Sequence, residues 1–266
     1  MISSITSRQN DRVKAIRGLR LKKNREAEEA YTFEGKKLFL EACRWQVPLT
    51  DVFVTERCLE DPAVAGAVRE LEGAGECQCT LVSEAVCEAL SQQKTPEGIL
   101  CRAKKSKKGK PNGRSYVILE DIRDPGNLGT ILRTADAMGF DAVVASPQCA
   151  DIYGEKVIRG SMGSFFHLPV WQCEDLGAEI AALRQAGILI CGTSLAGTEM
   201  TGLPLDGGGV ALILGNESHG ISDGLARECD VLWRLPIWGN AESLNVSIAA
   251  GIMLYEIGRE LHKTSE

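Results

Sequence analysis

The sequence is poor in histidine and in aromatic residues, and it has no long apolar run. Among its 266 residues, three are histidine and 5% are aromatic. No window approaches the roughly 18 consecutive apolar residues of a membrane-spanning helix. The opening stretch MISSITSRQNDRVKAIRGLR carries charges where a secretory signal needs an apolar segment. We therefore expect a cytoplasmic protein without a membrane partner.

Two further absences exclude common metal and nucleotide sites. The ten cysteines are irregularly spaced, and Cys77 and Cys79 form a CxC pair, whereas structural zinc sites use paired CxxC elements or histidine partners. We expect reduced thiols and no metal. No GxGxxG follows the first strand predicted after residue 115, and GTSLAGT lacks the lysine of a phosphate-binding P-loop. An ordinary dinucleotide or ATP site is disfavoured.

Charge is distributed unevenly along the chain. Residues 1–114 contain 21 Lys and Arg against 16 Asp and Glu, a net charge of +5. Residues 115–266 contain 9 against 20, a net charge of −11. A basic front part suits a polyanionic partner, and it is equally compatible with an ordinary solvated surface.

The basic stretch CRAKKSKKGKPNGRS, at 101–115, lacks apolar periodicity and predicts a linker. We place a first domain at 1–102, the linker at 103–114 and a second domain at 115–266. The first domain reads as a small α/β unit. Its predicted elements are a charged amphipathic helix over 12–31, a helix over 31–45, a strand over 49–56, and helices over 61–75 and 82–93.

The second domain alternates apolar strands with helices. Strands are predicted at SYVILE, DAVVAS, FFHLPV, GILICGTS, VALILG and VLWRLP, and helices from Asn127, near 155–161, over 175–186, near 222 and over 243–261. Such alternation implies an α/β fold with a mainly parallel sheet and helices on both faces. Ligands of these sheets bind in loops at the carboxyl ends of the strands.

Two helix starts carry unusual polar residues. In DIRDPGNLGTILRTADAMGF, we expect Asn127 to be the N-cap, with Arg133 outside the apolar stripe. Ser243 and Asn245 open the last helix, for which Leu244, Ile248, Ile252 and Tyr255 form the predicted buried stripe. Taken singly, these residues have ordinary explanations, namely capping and a surface ion pair.

Taken together, three motifs resemble the SpoU/TrmH family of RNA ribose 2'-O-methyltransferases, in the SPOUT superfamily. They are DPGNLGTILRTADAMG, LILGNESHGIS and RLPIWGNAESLNVSIAAGIMLYE, in that order within 116–260, with IRGSMGSFFHLPV between the first and the second. More loosely, FEGKKLFLEA and SEAVCEALSQQKTPEGILC resemble the substrate-binding domain of these enzymes, an α/β sandwich related to RNA-binding ribosomal proteins.

The resemblance implies a trefoil knot in the carboxyl-terminal domain, an S-adenosylmethionine site in the knot loops, and a homodimer formed through that domain. It assigns cofactor contacts to Thr193, Gly215, Leu235 and Leu244. It assigns the active site to Asn127, Arg133, Glu217, Ser243 and Asn245.

The roles implied for these residues leave the proton acceptor open. Asn127 positions the substrate, and Arg133 acts on the ribose 2'-hydroxyl or on its phosphate. Because a guanidinium stays protonated in proteins, Arg133 is alternatively a phosphate clamp, with water or Glu217 taking the proton. Glu217 serves the active site or the dimer, and Ser243 and Asn245 line the phosphate and cofactor region.

We therefore expect 2'-O-methylation of RNA, with 23S ribosomal RNA favoured over tRNA as the substrate. The alternatives are tRNA methylation, a non-catalytic RNA-binding factor in ribosome assembly, and a small-molecule methyltransferase, which the basic front domain disfavours. His167 and His219 are expected to be structural. The nucleotide that is modified and a role in antibiotic resistance stay open.

Overall fold

The computed structural model describes residues 3–105, 113–200 and 208–263. They form two compact units. The first unit comprises Met1–Lys107 and Tyr153–His167, and the second comprises Lys108–Ile152 and Leu168–Glu266. The units are therefore interleaved along the chain, whereas the sequence predicts consecutive domains. Most of the predicted linker, 106–112, lies outside the described residues.

The amino-terminal part of the first unit alternates short strands and helices. These are β1 (Ser3–Ile5), α1 (Asp11–Gly18), α2 (Lys22–Ala27), β2 (Ala30–Glu34), α3 (Lys36–Arg44), β3 (Leu49–Val54), α4 (Glu56–Leu59), α5 (Pro62–Ala74), β4 (Gln78–Val82), α6 (Glu84–Leu90) and β5 (Ile99–Lys104). The five strands form one sheet in the order β1-β4-β3-β5-β2, in which β5 runs antiparallel to both of its neighbours.

The single helix predicted over 12–31 is wrong, because the chain forms two helices there. Asn24 Nδ2 donates to Gly18 O at 2.8 Å, and Arg25 Nη1 donates to Leu19 O at 2.6 Å. These side chains bond to carbonyls at the end of α1, where the regular helical bonds stop, so the break is stabilised locally.

The helix predicted over 31–45 begins later, because its first residues form β2. Tyr31 and Phe33 favour a strand and are buried in it. Gly35 then adopts a φ of +114°, a conformation open mainly to glycine, and α3 follows. The strand-to-helix switch therefore depends on one residue.

An aromatic cluster joins β2 to the segment 153–167 within the first unit. The ring centroids of Tyr31 and Tyr153 are 5.1 Å apart, and those of Phe33 and Phe166 are 4.9 Å apart. Phe165 packs edge-on against Tyr31 at 5.8 Å. Aromatic pairs at these separations stabilise a core beyond the area they bury. The segment thus completes the core of the first unit.

The remaining elements begin at residue 115. They are β6 (Ser115–Leu119), α7 (Pro125–Ala137), β7 (Ala142–Ala145), α8 (Glu155–Ser161), β8 (Val170–Gln172), α9 (Leu176–Gln185), β9 (Ile188–Glu199), β10 (Gly209–Leu214), α10 (Asp223–Arg227), β11 (Val231–Arg234) and α11 (Val246–Lys263). Of these, α8 belongs to the first unit.

The second unit is built on a six-stranded sheet in the order β11-β9-β10-β6-β7-β8, and each neighbouring pair is parallel. The expected α/β fold with a mainly parallel sheet is confirmed. Strands β6, β7 and β10 are buried along their whole length, as expected for strands covered on both faces. The carboxyl ends of these parallel strands meet at one edge of the sheet.

The strand predicted at FFHLPV is partly wrong. Ser164–Phe166 is a 3-10 turn, and β8 begins only at Val170. His167, between them, stacks on the ring of Trp45, with centroids 4.4 Å apart. Phe165 and Phe166 serve the aromatic cluster of the first unit, so their hydrophobicity does not indicate a strand.

The buried stripe predicted for the last helix is also wrong. Leu244, Ile248, Ile252 and Tyr255 are exposed, with accessible fractions of 39%, 55%, 43% and 52%. The buried face of α11, which packs against α7, is instead Ala250, Met253, Leu254 and Ile257. The helix carries two apolar stripes, and periodicity alone does not say which one faces the core. No helix among the described residues is long and apolar enough to cross a bilayer.

Candidate active site

The loops after β6, β7 and β10 are tied together at the carboxyl edge of the second unit's sheet. Asn216 Nδ2 donates to the backbone oxygen of Asp121 at 2.9 Å. Asp121 has a left-handed φ of +56°, and its backbone N donates to Ser146 Oγ at 3.0 Å. Ser146 Oγ donates in turn to Asp121 Oδ1 at 2.9 Å. These bonds hold an unusual backbone conformation beneath the start of α7.

Helix α7 is capped by Asp124, so the expectation that Asn127 is the N-cap is wrong. Asp124 Oδ1 accepts from the backbone N of Asn127 at 2.8 Å, and Pro125 occupies the first helical position. Proline is pre-organised for that position, and an acidic side chain just before it caps the exposed amides. The side chain of Asn127 is consequently free for contacts outside its own helix.

Three of the five predicted active-site residues form one hydrogen-bonded chain. Asn127 Nδ2 donates to Glu217 Oε1 at 3.0 Å, and Asn245 Nδ2 donates to Asn127 Oδ1 at 3.1 Å. The two bonds fix which way the Asn127 amide faces. They join α7, the loop after β10 and the start of α11, which lie far apart in the sequence.

Asn245 has a second role as the cap of α11. Its Oδ1 accepts from the backbone N of Ser247 at 2.9 Å and from Ser247 Oγ at 2.6 Å. One amide therefore both begins the helix and reaches the Asn127 side chain. The last helix starts at Val246, three residues later than predicted, because Asn245 is its cap.

Glu217 lies in a tight turn that glycine makes possible. Asn216 and Gly220 exchange backbone bonds at 3.0 and 2.9 Å. A Cβ on Gly215 would lie 2.1 Å from the backbone carbon of Gly220, so only glycine fits there. Glu217 is exposed at the tip, and its Oε2 has no hydrogen bond within 3–105, 113–200 and 208–263.

Arg133 and Ser243 lie outside the hydrogen-bonded chain. Arg133 is exposed on α7, about 9 Å along the helix axis from Asn127. It makes no ion pair or hydrogen bond with the described part of the chain, so the surface ion pair that is its default explanation is absent there. Ser243 is exposed before α11. Both are open to a ligand.

Three of the four predicted cofactor residues lie within or directly after three neighbouring strands, β10, β9 and β11. Gly215 directly follows β10, Thr193 lies within β9, Leu235 follows β11, and Leu244 precedes the cap of α11. Between the pairs Gly192–Leu232 and Thr198–Trp233, the ladder of β9 and β11 skips 193–197. This bulge leaves a run of backbone groups outside the ladder.

Buried thiols support the site without being reactive. Cys149 Sγ accepts from the backbone N of Ile122 at 3.3 Å, just after β6. Burial raises the pKa of the Cys149 thiol, which keeps it protonated. None of the ten cysteines, all of which the structure describes, forms a disulfide, and the described residues contain no group of three or more His, Cys, Asp and Glu arranged to hold a metal.

Sequence reasoning did not single out Asp121, Ser146 or Asn216 as supports of the site. Asp121 and Asn216 directly follow predicted apolar strands and Ser146 ends one, and that position is the only signal the sequence contains. The left-handed conformation of Asp121 has no counterpart in composition or periodicity. The predicted residues Asn127 and Glu217 depend on these three for their placement.

Comparisons with known proteins match both parts of the chain. The model of the SpoU rRNA methylase family matches residues 114–255, and that of the MRM3-like substrate binding domain matches residues 10–101. The 23S rRNA (guanosine(2553)-2'-O)-methyltransferase RlmP of Bacillus subtilis (strain 168) is 31% identical over 96% of this chain and 99% of its own.

Solved structures agree over nearly the whole chain. The AdoMet-bound rRNA methyltransferase from Sinorhizobium meliloti is 32% identical, with a TM-score of 0.88 over 98% of both chains. An RNA 2'-O ribose methyltransferase is 27% identical, with a TM-score of 0.80 over 97% of this chain and 99% of that one.

Proposed function

The chain belongs to the SpoU rRNA methylase family, and we propose that it transfers a methyl group from S-adenosylmethionine to a ribose 2'-hydroxyl of 23S ribosomal RNA. The observation that carries this proposal is the hydrogen-bonded chain Glu217–Asn127–Asn245. Each residue comes from a different one of the three motifs, and the fold brings them to one edge of the sheet.

The residues at that edge fit the cofactor. The bulge 193–197 offers backbone donors and acceptors, Gly215 allows close packing of the next loop, and half-buried Leu235 offers an apolar contact. A nucleoside needs such a combination of backbone hydrogen bonds and apolar surface. We propose that these residues, with Leu244, hold S-adenosylmethionine. When bound, the cofactor supplies a methyl group that its sulfonium makes electrophilic.

The protein's contribution is then positioning and proton removal. Asn127 has both ends of its amide engaged, so it presents a fixed surface to the ribose and needs no reorganisation. Glu217 Oε1 is held by Asn127, which leaves Oε2 open to accept the proton of the 2'-hydroxyl. We therefore prefer Glu217, directly or through water, as the proton acceptor.

In our proposal, Arg133 stabilises negative charge on the substrate. A guanidinium is effectively always protonated, so Arg133 is a donor to the substrate phosphate or to the developing alkoxide. Its exposed, unpaired state within the described residues supports this role. Ser243, exposed just before α11, completes the phosphate region in our proposal.

We also propose a homodimer formed by the second unit. The exposed side chains of Ile248, Ile252 and Tyr255 on α11, with Leu244 just before the helix, support it, because a contiguous apolar surface indicates a protein contact. The domain limits 1–102 and 115–266, the trefoil knot and the cytoplasmic location stay part of the proposal. The amino-terminal part, which matches a substrate-binding family model, would bind RNA.

Methyl transfer to separate RNA pools tests the function. Labelled S-adenosylmethionine is incubated with ribosomal RNA and with tRNA from a strain that lacks this protein, with Arg133→Ala as the control. We expect the labelled methyl group to appear in 23S RNA alone and in alkali-resistant linkages. The Arg133→Ala variant should transfer no label. Label only in tRNA would favour the tRNA enzyme. No label in either pool, despite cofactor binding, would favour the assembly factor.

A further inference from the structure

Trp238 is the most exposed large apolar side chain among the described residues, with 92% of its surface accessible. It lies in the segment 235–245, between β11 and α11. Trp233, five residues earlier, is 3% exposed and belongs to the core. The same short stretch thus places one indole inside and one almost wholly outside.

The surroundings of Trp238 are polar and open. Gly239, Asn240 and Glu242 are exposed, whereas Ile237, just before Trp238, is half-buried. The segment begins at the carboxyl end of β11 and ends at Asn245, within the proposed active site. Trp238 therefore stands at the edge of the sheet where the substrate would lie.

An arginine without an ion pair among the described residues lies shortly before Trp238 in the sequence. Arg234, the last residue of β11, is exposed and has no ion pair or side-chain hydrogen bond with residues the structure describes. It lies in the part of the sequence, 115–266, that has a net charge of −11. An unpaired arginine amid excess carboxylates indicates an anionic ligand better than a chance surface charge does.

We propose that Trp238 and Arg234 form a subsite for a nucleotide next to the methylated one, in which the base stacks on the indole and Arg234 contacts a phosphate. The proposal rests on RNA being the substrate. Single-stranded RNA is recognised by stacking of splayed bases on aromatic side chains, together with arginine contacts to the backbone. The pairing of an exposed indole with a free guanidinium matches that chemistry.

A second copy of the chain is the less suitable occupant. The exposed apolar residues that suit a dimer are Leu244, just before α11, and Ile248, Ile252 and Tyr255 on it, and they are aliphatic apart from the tyrosine. The exposed residues that follow Trp238 include Asn240 and Glu242, whose polar groups would be poorly satisfied in a dry protein contact. Stacking leaves such neighbours hydrated.

Binding of two RNA oligonucleotides by the full chain tests the subsite. The probes are a fluorescein-labelled single-stranded 12-mer of mixed sequence and the same 12-mer with abasic sites. We expect Trp238→Ala to weaken binding of the first probe about tenfold. Trp238→Phe should restore most of this loss, and the abasic probe should not distinguish the variants.

Arg234→Ala should weaken both probes and reduce the slope of log affinity against log salt by about 1. Its matched control is Arg227→Ala. Arg227 is likewise exposed and unpaired among the described residues, and it lies at the end of α10, near where β11 begins. Because that is the opposite edge of the sheet, the control should bind both probes as the native chain does.

Three results with Trp238→Ala would overturn the subsite. They are unchanged binding of the first probe, a loss of S-adenosylmethionine binding in calorimetry, and dissociation of an oligomer in light scattering. The second would assign the indole to the cofactor and the third to a subunit contact. Because RNA binding is measured without methyl transfer, failure of the native chain to methylate 23S RNA would refute the proposed function separately.

Discussion

Asn245 allows helix capping to be separated from its proposed role in positioning Asn127. Asn245→Asp keeps an oxygen that caps α11, so stability should change little, since Asp and Asn are equivalent caps. It replaces the Nδ2 donor, 3.1 Å from Asn127 Oδ1, with a second acceptor. Loss of a hydrogen bond worth about 0.5–1.5 kcal/mol, with added repulsion, should lower kcat/KM about tenfold or more.

Asn245→Ala removes both functions and should also lose about 1 kcal/mol of stability. For a domain of this size, that loss lowers the Tm by about 2–4 °C. Asp175→Ala is the matched control, because Asp175 caps α9 through the backbone N of Gly177 at 2.8 Å, away from the active-site chain. It should lose stability and keep activity. Full activity in Asn245→Asp would refute the positioning argument.

Three other perturbations follow from the structure. Burial, followed by the charge of Glu34, raises the pKa of Glu155. The stability that Glu155 contributes is therefore present below about pH 4.5 and is lost as pH rises through the raised pKa. Glu155→Gln should flatten the dependence of the Tm on pH, and an unchanged dependence would count against this. Ile252→Asp should convert a dimer to a monomer in light scattering, and a monomeric native chain would end that proposal. Gly215→Ala should lower the free energy of unfolding by about 1–3 kcal/mol and weaken cofactor binding. Gly224→Ala, whose Cβ would meet no atom closer than 3.7 Å, should leave both unchanged.

The parallel sheet could be predicted because the apolar composition of its strands indicates strands buried on both faces. VALILG and SYVILE have apolar residues on both faces, which only a strand covered on both sides accommodates. Motif order then placed Asn127, Glu217 and Asn245 in one site. None of the contacts among them could be predicted, because each depends on the register of elements distant in sequence.

The wrong predictions of helix caps, helix starts and buried faces have a common physical origin. The same local sequence pattern is compatible with more than one structure, and contacts elsewhere decide between them. Asp124 and Asn127 are both good caps, and Pro125 decides between them. Helix α11 has two apolar stripes, and only the packing partner selects the buried one. Tyr31 and Phe33 precede a helical pattern, and Gly35 separates them from it.

The aromatic cluster of the first unit limits how this protein can exchange parts with its relatives. Recombination at the basic stretch near residue 107 would graft a foreign front onto a chain that still carries Tyr153, Phe165 and Phe166. Those rings would face a surface not shaped for them. A functional chimera must therefore carry 153–167 along with the front part, so the inheritable module is discontinuous in the gene although it is contiguous in space.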